Sequence, residues 1–174
     1  MIKKSKALYI CALGILILLL SACGKQQAFT PDVTCNEILT VAKTAAKNEP
    51  ENFTLYSETE QQLDAFTMSL WADGTYEECE EFGLLEDYAI LYSSDNTTYE
   101  IAILKAKNAE DTAKLEDVLN RRKETLSVGD KAEYDPNFKT LLNDSRIIIE
   151  DKYAILLITQ DNDSATKAIE NLKQ

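Results

Sequence analysis

The chain has 174 residues, no histidine, and a formal net charge of −12 from 30 acidic and 18 basic side chains. The lack of imidazole removes the commonest general base and the commonest metal ligand together. The negative charge repels phosphate backbones and anionic lipid heads, which argues against nucleic-acid binding. Five glycines scattered singly make no phosphate-cradling loop.

Lys3, Lys4 and Lys6 precede an apolar run from Ala7 to Ala22. At about 1.5 Å of helical rise per residue, such a run covers roughly 24 Å, short of a ~30 Å hydrocarbon core. It reads as the apolar part of a signal peptide spanning residues 1–22. Leu20-Ser21-Ala22-Cys23, followed by Gly24, resembles the bacterial lipoprotein signal, whose box is leucine, two small residues, then cysteine. The resemblance implies cleavage before Cys23 and lipid attachment to its thiol. Two acyl chains, such as palmitate, give stable anchoring where one gives only marginal binding. The implied location is the cell membrane at its extracytoplasmic face, with the lipid bilayer as first partner.

Cleavage there leaves 152 residues and takes the net charge to −15, because three lysines and no acid leave with the signal. That length suits one domain with a single core, here 32–174, behind a short tether at 23–31. Cys35 and Cys79 remain. Outside the membrane they are free to pair as a disulfide, or they sit apart as two small buried hydrophobes.

Taken in order, Asp32 or Thr34 caps a predicted helix to about Lys47, with Cys35, Ile38, Leu39, Ala42 and Ala45 on one face. Phe53 to Tyr56 is a short candidate strand. Ser57 with Glu60 has capping-box spacing for a second helix that buries Leu63, Phe66, Leu70 and Trp71 and stops at Gly74. A helical turn follows, with Tyr76, Cys79 and Phe82 inward and Glu77, Glu78, Glu80 and Glu81 as a solvated face.

From Tyr88 the period shortens to that of strands. Tyr88 to Tyr92 and Tyr99 to Ile103 are two strands, and Asn108 caps a helix whose seam is Leu115, Val118, Leu119 and Leu126. Asp135-Pro136 opens a short helix with Phe138, Leu141 and Leu142 inward. Ile147 to Ile149 and Tyr153 to Ile158 form a hairpin, the second strand apolar on both faces as a central strand is. A last helix, capped near Asn162 or Asp163, buries Ala165, Ala168, Ile169 and Leu172.

Strand, strand, helix thus occurs twice. The expected fold class is α+β: repeated units forming a four-stranded antiparallel sheet with helices packed on one face, preceded by N-terminal helices.

Ile101-Ala102-Ile103-Leu104-Lys105-Ala106-Lys107, the following helix with Arg121, Tyr134 with Pro136, and Lys152-Tyr153-Ala154-Ile155 resemble a family of small Gram-positive lipoproteins, domain-of-unknown-function family 4358. The similarity runs from about the second helix to the C-terminus. It implies a membrane-anchored extracellular domain and carries over no catalytic residue.

No cofactor or metal site is expected. Zinc would have to use cysteine and carboxylates alone, and Asp161 with Asp163 lacks the glycine and the fifth-position ligand of a calcium loop. Lys105, Lys107, Arg121 and Arg122 are the main basic group of an acidic domain and a candidate partner contact. The expected function is non-catalytic: a surface lipoprotein that contacts an envelope protein or serves as accessory subunit of an envelope complex. The alternative is a small-ligand or cell-wall-polymer module using a cleft lined by Tyr88, Tyr92, Tyr99 and Tyr153.

Overall fold

The computed structural model describes Phe29 and residues 33–95, 97–129 and 135–173. The signal segment, the proposed acylation residue Cys23, most of the tether and Tyr134 lie outside the described residues.

Helix α1 (Cys35–Ala46) starts where the sequence predicts. Thr34 accepts from the Glu37 backbone N–H while the Glu37 carboxylate accepts from the Thr34 N–H, a reciprocal cap that satisfies two otherwise orphaned donors. Its buried stripe is Cys35, Ile38, Leu39, Ala42 and Ala46, one residue beyond the predicted Ala45 at the C-terminal end.

Strand β1 (Phe53–Ser57) takes in Ser57, so the predicted capping box at Ser57 and Glu60 does not form. Helix α2 (Ala65–Asp73) starts later, with Asp64 accepting from the Thr67 N–H at 2.6 Å. That later start turns Met68, Trp71 and Ala72 inward and leaves Phe66 and Leu70 exposed, reversing the prediction for those two. Gly74 ends the helix at φ 68°, in the left-handed region where glycine has no Cβ penalty. The predicted turn after it is a 3₁₀ turn at Glu80–Leu84, with Cys79 buried but Tyr76 exposed rather than inward.

Strands β2 (Leu85–Ser93) and β3 (Glu100–Ala106) pair antiparallel, and a 3₁₀ turn at Ala109–Asp111 leads into helix α3 (Thr112–Val128). Helix α4 (Phe138–Asn143) buries Phe138 and half-buries Leu141 and Leu142. Strands β4 (Arg146–Glu150) and β5 (Tyr153–Ile158) make the last hairpin, with Asp151 in its turn at φ 48°, a conformation aspartate tolerates. Helix α5 (Asn162–Glu170) is capped by Asp161, one residue before the predicted position, through the Ser164 N–H.

The α+β class holds, but the sheet has five strands, not four, in the order β1-β2-β3-β5-β4, antiparallel throughout. The fifth is β1, paired along β2 from Phe53 opposite Ser93 to Ser57 opposite Ala89.

The helices cover both faces rather than one. Ile90, Ala102, Leu104, Ala154 and Leu156 point into a core closed by Met68 and Trp71 of α2, Leu115, Val118 and Leu119 of α3, and Phe138 of α4. Leu91, Ile101, Ile103, Ile155 and Leu157 point the other way, into a core closed by Ile38, Leu39 and Ala42 of α1 and Ala165 and Ile169 of α5. The cause lies in β3 and β5, which are buried along their whole length. With apolar side chains alternating to both sides, neither face can be left to water. Each such Leu or Ile contributes about 1.5–3 kcal/mol by burial. The two strand-strand-helix units are therefore not equivalent, since α3 and α5 lie on opposite faces.

Candidate functional site

The basic group predicted from sequence does not form one surface. Lys105 is nearly buried, its Nζ 2.8 Å from Glu86 Oε1 and 5.4 Å from the Tyr153 ring centre, on the α1 and α5 side of the sheet. Burial works against its charge most strongly, but Glu86 and Tyr153 together, through hydrogen bonding and electrostatic attraction, outweigh it and raise the pKa. Lys107 donates to the Gly83 carbonyl at 2.7 Å. Arg121 donates to Asp73 at 2.7 Å and to Glu81 at 3.1 Å, tying α3 to the end of α2 and the 3₁₀ turn. Arg122 is buried on the α2 and α3 side. All four cations are taken up by internal partners.

The four tyrosines do not converge either. Tyr88 and Tyr92 border the α2 and α3 core, whereas Tyr99 and Tyr153 belong to the core on the opposite face. Tyr88 Oη accepts from the Leu63 N–H at 3.0 Å, and Tyr153 Oη donates to the Val33 carbonyl at 2.6 Å. The cleft expected between them is not assembled.

Cys35 and Cys79 are free and buried, and they too sit in the two separate cores, with the sheet between them. That separation sets the disulfide aside and leaves two small hydrophobes. Burial, then the neighbouring Asp87, pushes the Cys35 thiol well up. Burial, then the hydrogen bond to Glu81, pushes Cys79 up to about 11. Both are therefore neutral and poorly nucleophilic at physiological pH.

Sequence reasoning missed a densely bonded buried cluster centred on Glu100. Glu100 on β3 accepts from Arg122 Nε at 2.9 Å, Arg122 Nη2 at 2.7 Å and Trp71 Nε1 at 2.9 Å. Arg122 Nη1 donates to the Trp71 carbonyl at 2.8 Å, and its guanidinium lies 5.6 Å from the Trp71 ring centre and 5.7 Å from that of Tyr92. One signal was present: Arg122 follows Leu115, Val118 and Leu119 at helical spacing, on the seam itself. The chemistry is positional, because every charge here is neutralised inside the fold.

The surface this cluster supports was also missed. Phe66 and Leu70, one turn apart on α2, are 44% and 42% exposed, and the ring of Tyr76, 74% exposed, lies 5.8 Å from that of Phe66. Between α2 and the sheet edge lies a pocket of about 140 Å³ lined by Tyr56, Thr67, Leu70, Trp71, Tyr92 and Arg122. Beyond the C-terminal end of α2, a cleft of about 370 Å³ is lined by Asp73, Glu77, Glu78, Glu80 and Glu81, with Arg121 at its wall. An apolar helix face thus adjoins an acidic hollow.

A larger polar hollow, about 690 Å³, lies between α4 and the start of α5. It contains no cysteine or lysine, and its Arg146 is paired with Asp163. Among the described residues no group of three or more Cys, Asp or Glu side chains is placed to hold a metal ion, and no helix is long and apolar enough to cross a membrane.

Neither the curated proteins nor the solved structures contain a match to this chain. A family model described as a domain of unknown function (DUF4358) matches residues 82–159. The match is narrower than the sequence similarity suggested: it begins after α2 and ends before α5, so the exposed face of α2 lies outside it. The segment from the 3₁₀ turn through β5, holding four of the five strands with α3 and α4, is what this chain shares with that domain.

Proposed function

We propose that the protein is anchored by an acylated Cys23 at the extracytoplasmic face of the cell membrane. There its folded domain works without catalysis, by docking a segment of an envelope protein on α2. The partner segment carries apolar side chains for Phe66 and Leu70 and basic side chains for the acidic hollow beside them.

The observation that carries this reading is the pairing of those two surfaces. Phe66, Leu70 and Tyr76 are large and exposed, and the adjoining carboxylates of Glu77, Glu78 and Glu80 are exposed as well. An apolar centre with a charged rim is the usual anatomy of a protein-binding patch. A charge-rich rim also steers an oppositely charged partner and raises its association rate. The lipoprotein box at Leu20 to Cys23 supports the anchor, and the strong negative charge of the domain favours a basic partner over nucleic acid.

The test is co-purification after crosslinking in native membranes, comparing the wild-type chain with Phe66→Glu/Leu70→Glu. A stoichiometric partner with a basic, apolar-bearing segment is expected with the first and absent with the second. Identical partner sets from both would overturn the docking face.

A further inference from the structure

Strand β4 forms one outer edge of the sheet, and among the described residues no backbone bond reaches its outer side. Natural edge strands are usually blunted by proline, a bulge or a central lysine. Strand β4 has none of these: it reads Arg146-Ile147-Ile148-Ile149-Glu150 and runs in unbroken register along β5. Ile149 is 40% exposed, and Ile147 and Ile148 are half-buried.

The sequence of this strand is complementary to its own reverse. Antiparallel pairing about Ile148 sets Arg146 opposite Glu150 of a second copy and Glu150 opposite its Arg146, with Ile147 facing Ile149 on the other face of the sheet. Opposite charges directly across an antiparallel pair attract, whereas a slip in either direction breaks both pairs at once. The Arg146 side chain is 44% exposed, so it can take a second carboxylate while keeping its bond to Asp163. The Glu150 side chain is 10% exposed and accepts from Lys173 at 2.6 Å through Oε2, and in this pairing Arg146 of the second copy joins that ion pair from the outer side of the strand.

We propose that β4 is the seam of a two-fold homodimer in which two five-stranded sheets join into one. Such an interface is isologous, each residue meeting its partner's counterpart reciprocally. The two-fold axis stands perpendicular to the sheet, so the α1 and α5 layers of both copies fall on the same side. Phe29, packed in that layer against Tyr153, is then carried on one side of the dimer in both copies, as a pair of chains entering from one surface requires. The docking face on α2 neighbours β1 at the opposite edge and stays open, so the dimer stands or falls independently of that function.

The experiment uses the full chain purified in detergent, with the polypeptide mass per particle measured by light scattering corrected for detergent. The wild type is expected at two chains per particle, and Ile149→Lys, at a position already half in water, at one. Ile148→Cys lies on the axis and is expected to form an interchain disulfide under mild oxidation, since directly opposed Cα atoms about 4.5–5.5 Å apart fall within disulfide reach. Ile149→Cys, off the axis, is expected to link far less. Arg146→Glu and Glu150→Arg are each expected to be single chains that pair when mixed, which a folding defect would not produce. A wild type with one chain per particle, an Ile149→Lys variant that remains paired, or crosslinking at 149 in preference to 148 would each overturn the proposal.

Discussion

The guanidinium of Arg122 closes on the carboxylate of Glu100 as a buried fork, Nη2 2.7 Å from Oε2 and Nε 2.9 Å from Oε1. Trp71 completes it from α2, donating its indole N–H to Glu100 and accepting from Arg122 at its carbonyl. Three elements, β3, α3 and α2, are locked together at this point. Removing one partner strands a buried charge, so Arg122→Leu or Glu100→Leu alone is expected to cost about 3–5 kcal/mol, while the double replacement costs much less than the sum. Urea unfolding followed by the fluorescence of Trp71, the one tryptophan in the chain, measures both.

The docking face lies on the other side of that same helix. Because Phe66 and Leu70 already contact water, Phe66→Glu and Leu70→Glu are expected to change stability by no more than about 0.5 kcal/mol. Trp71→Ala, by contrast, is expected to destabilise by about 3–5 kcal/mol. Equal losses in all three variants would show that the exposed pair is structural.

Both internal thiols are buried in separate cores. In the folded protein Cys35 and Cys79 are expected to resist maleimide, and after denaturation without reductant both are expected to label fully. Peptide mass spectrometry of the non-reduced chain reads the result directly. A linked Cys35–Cys79 peptide would contradict the two-layer arrangement.

Stability is expected to fall at both ends of the pH scale. Burial, and then the hydrogen bond to Tyr92, pushes Tyr56 from 10.0 up to about 12. Its neutral form is favoured by the fold, so that contribution is intact below pH 10 and is lost as the pH rises from there to about 12. At the acid end, hydrogen bonds at the helix starts hold Glu37, Asp64 and Asp161 below the ordinary carboxylate range. Each is favoured as the anion, so its contribution is present above the ordinary range and lost as the pH falls through the depressed value. Urea midpoints measured across pH check both limbs, and Tyr56→Phe is expected to flatten the alkaline one.

Much of this fold is written locally. The stripe of α1 up to Ala42, the seam of α3 and the doubly apolar run of β5 follow from spacing alone, and the structure keeps them. What spacing does not carry is which face a helix returns to after its strand. The link from Ala106 to Thr112 holds a 3₁₀ turn, while that from Ile158 to Asn162 is shorter, and α3 and α5 end on opposite faces.

The cap of α2 was misplaced for a similar reason: Ser57 with Glu60 has capping-box spacing, but Ser57 pairs in β1 and the helix starts after Asp64, which sends Met68 and Trp71 inward. The candidate site was the least legible part. Arg121, Arg122 and Lys105 read as surface charge because sequence shows the cations without the acids that the fold brings to them from Asp73, Glu100 and Glu86.

The most direct test of the account places a photo-crosslinking residue at Leu70 in cells, with a second at Lys43 on α1 as the opposite-layer control, in chains carrying Cys23 or Cys23→Ser. The account predicts a discrete protein adduct from position 70 in the membrane fraction, none from position 43, and loss of both membrane association and adduct in the Cys23→Ser chain. The same adducts from both positions, or an undiminished membrane-bound adduct without Cys23, would contradict it.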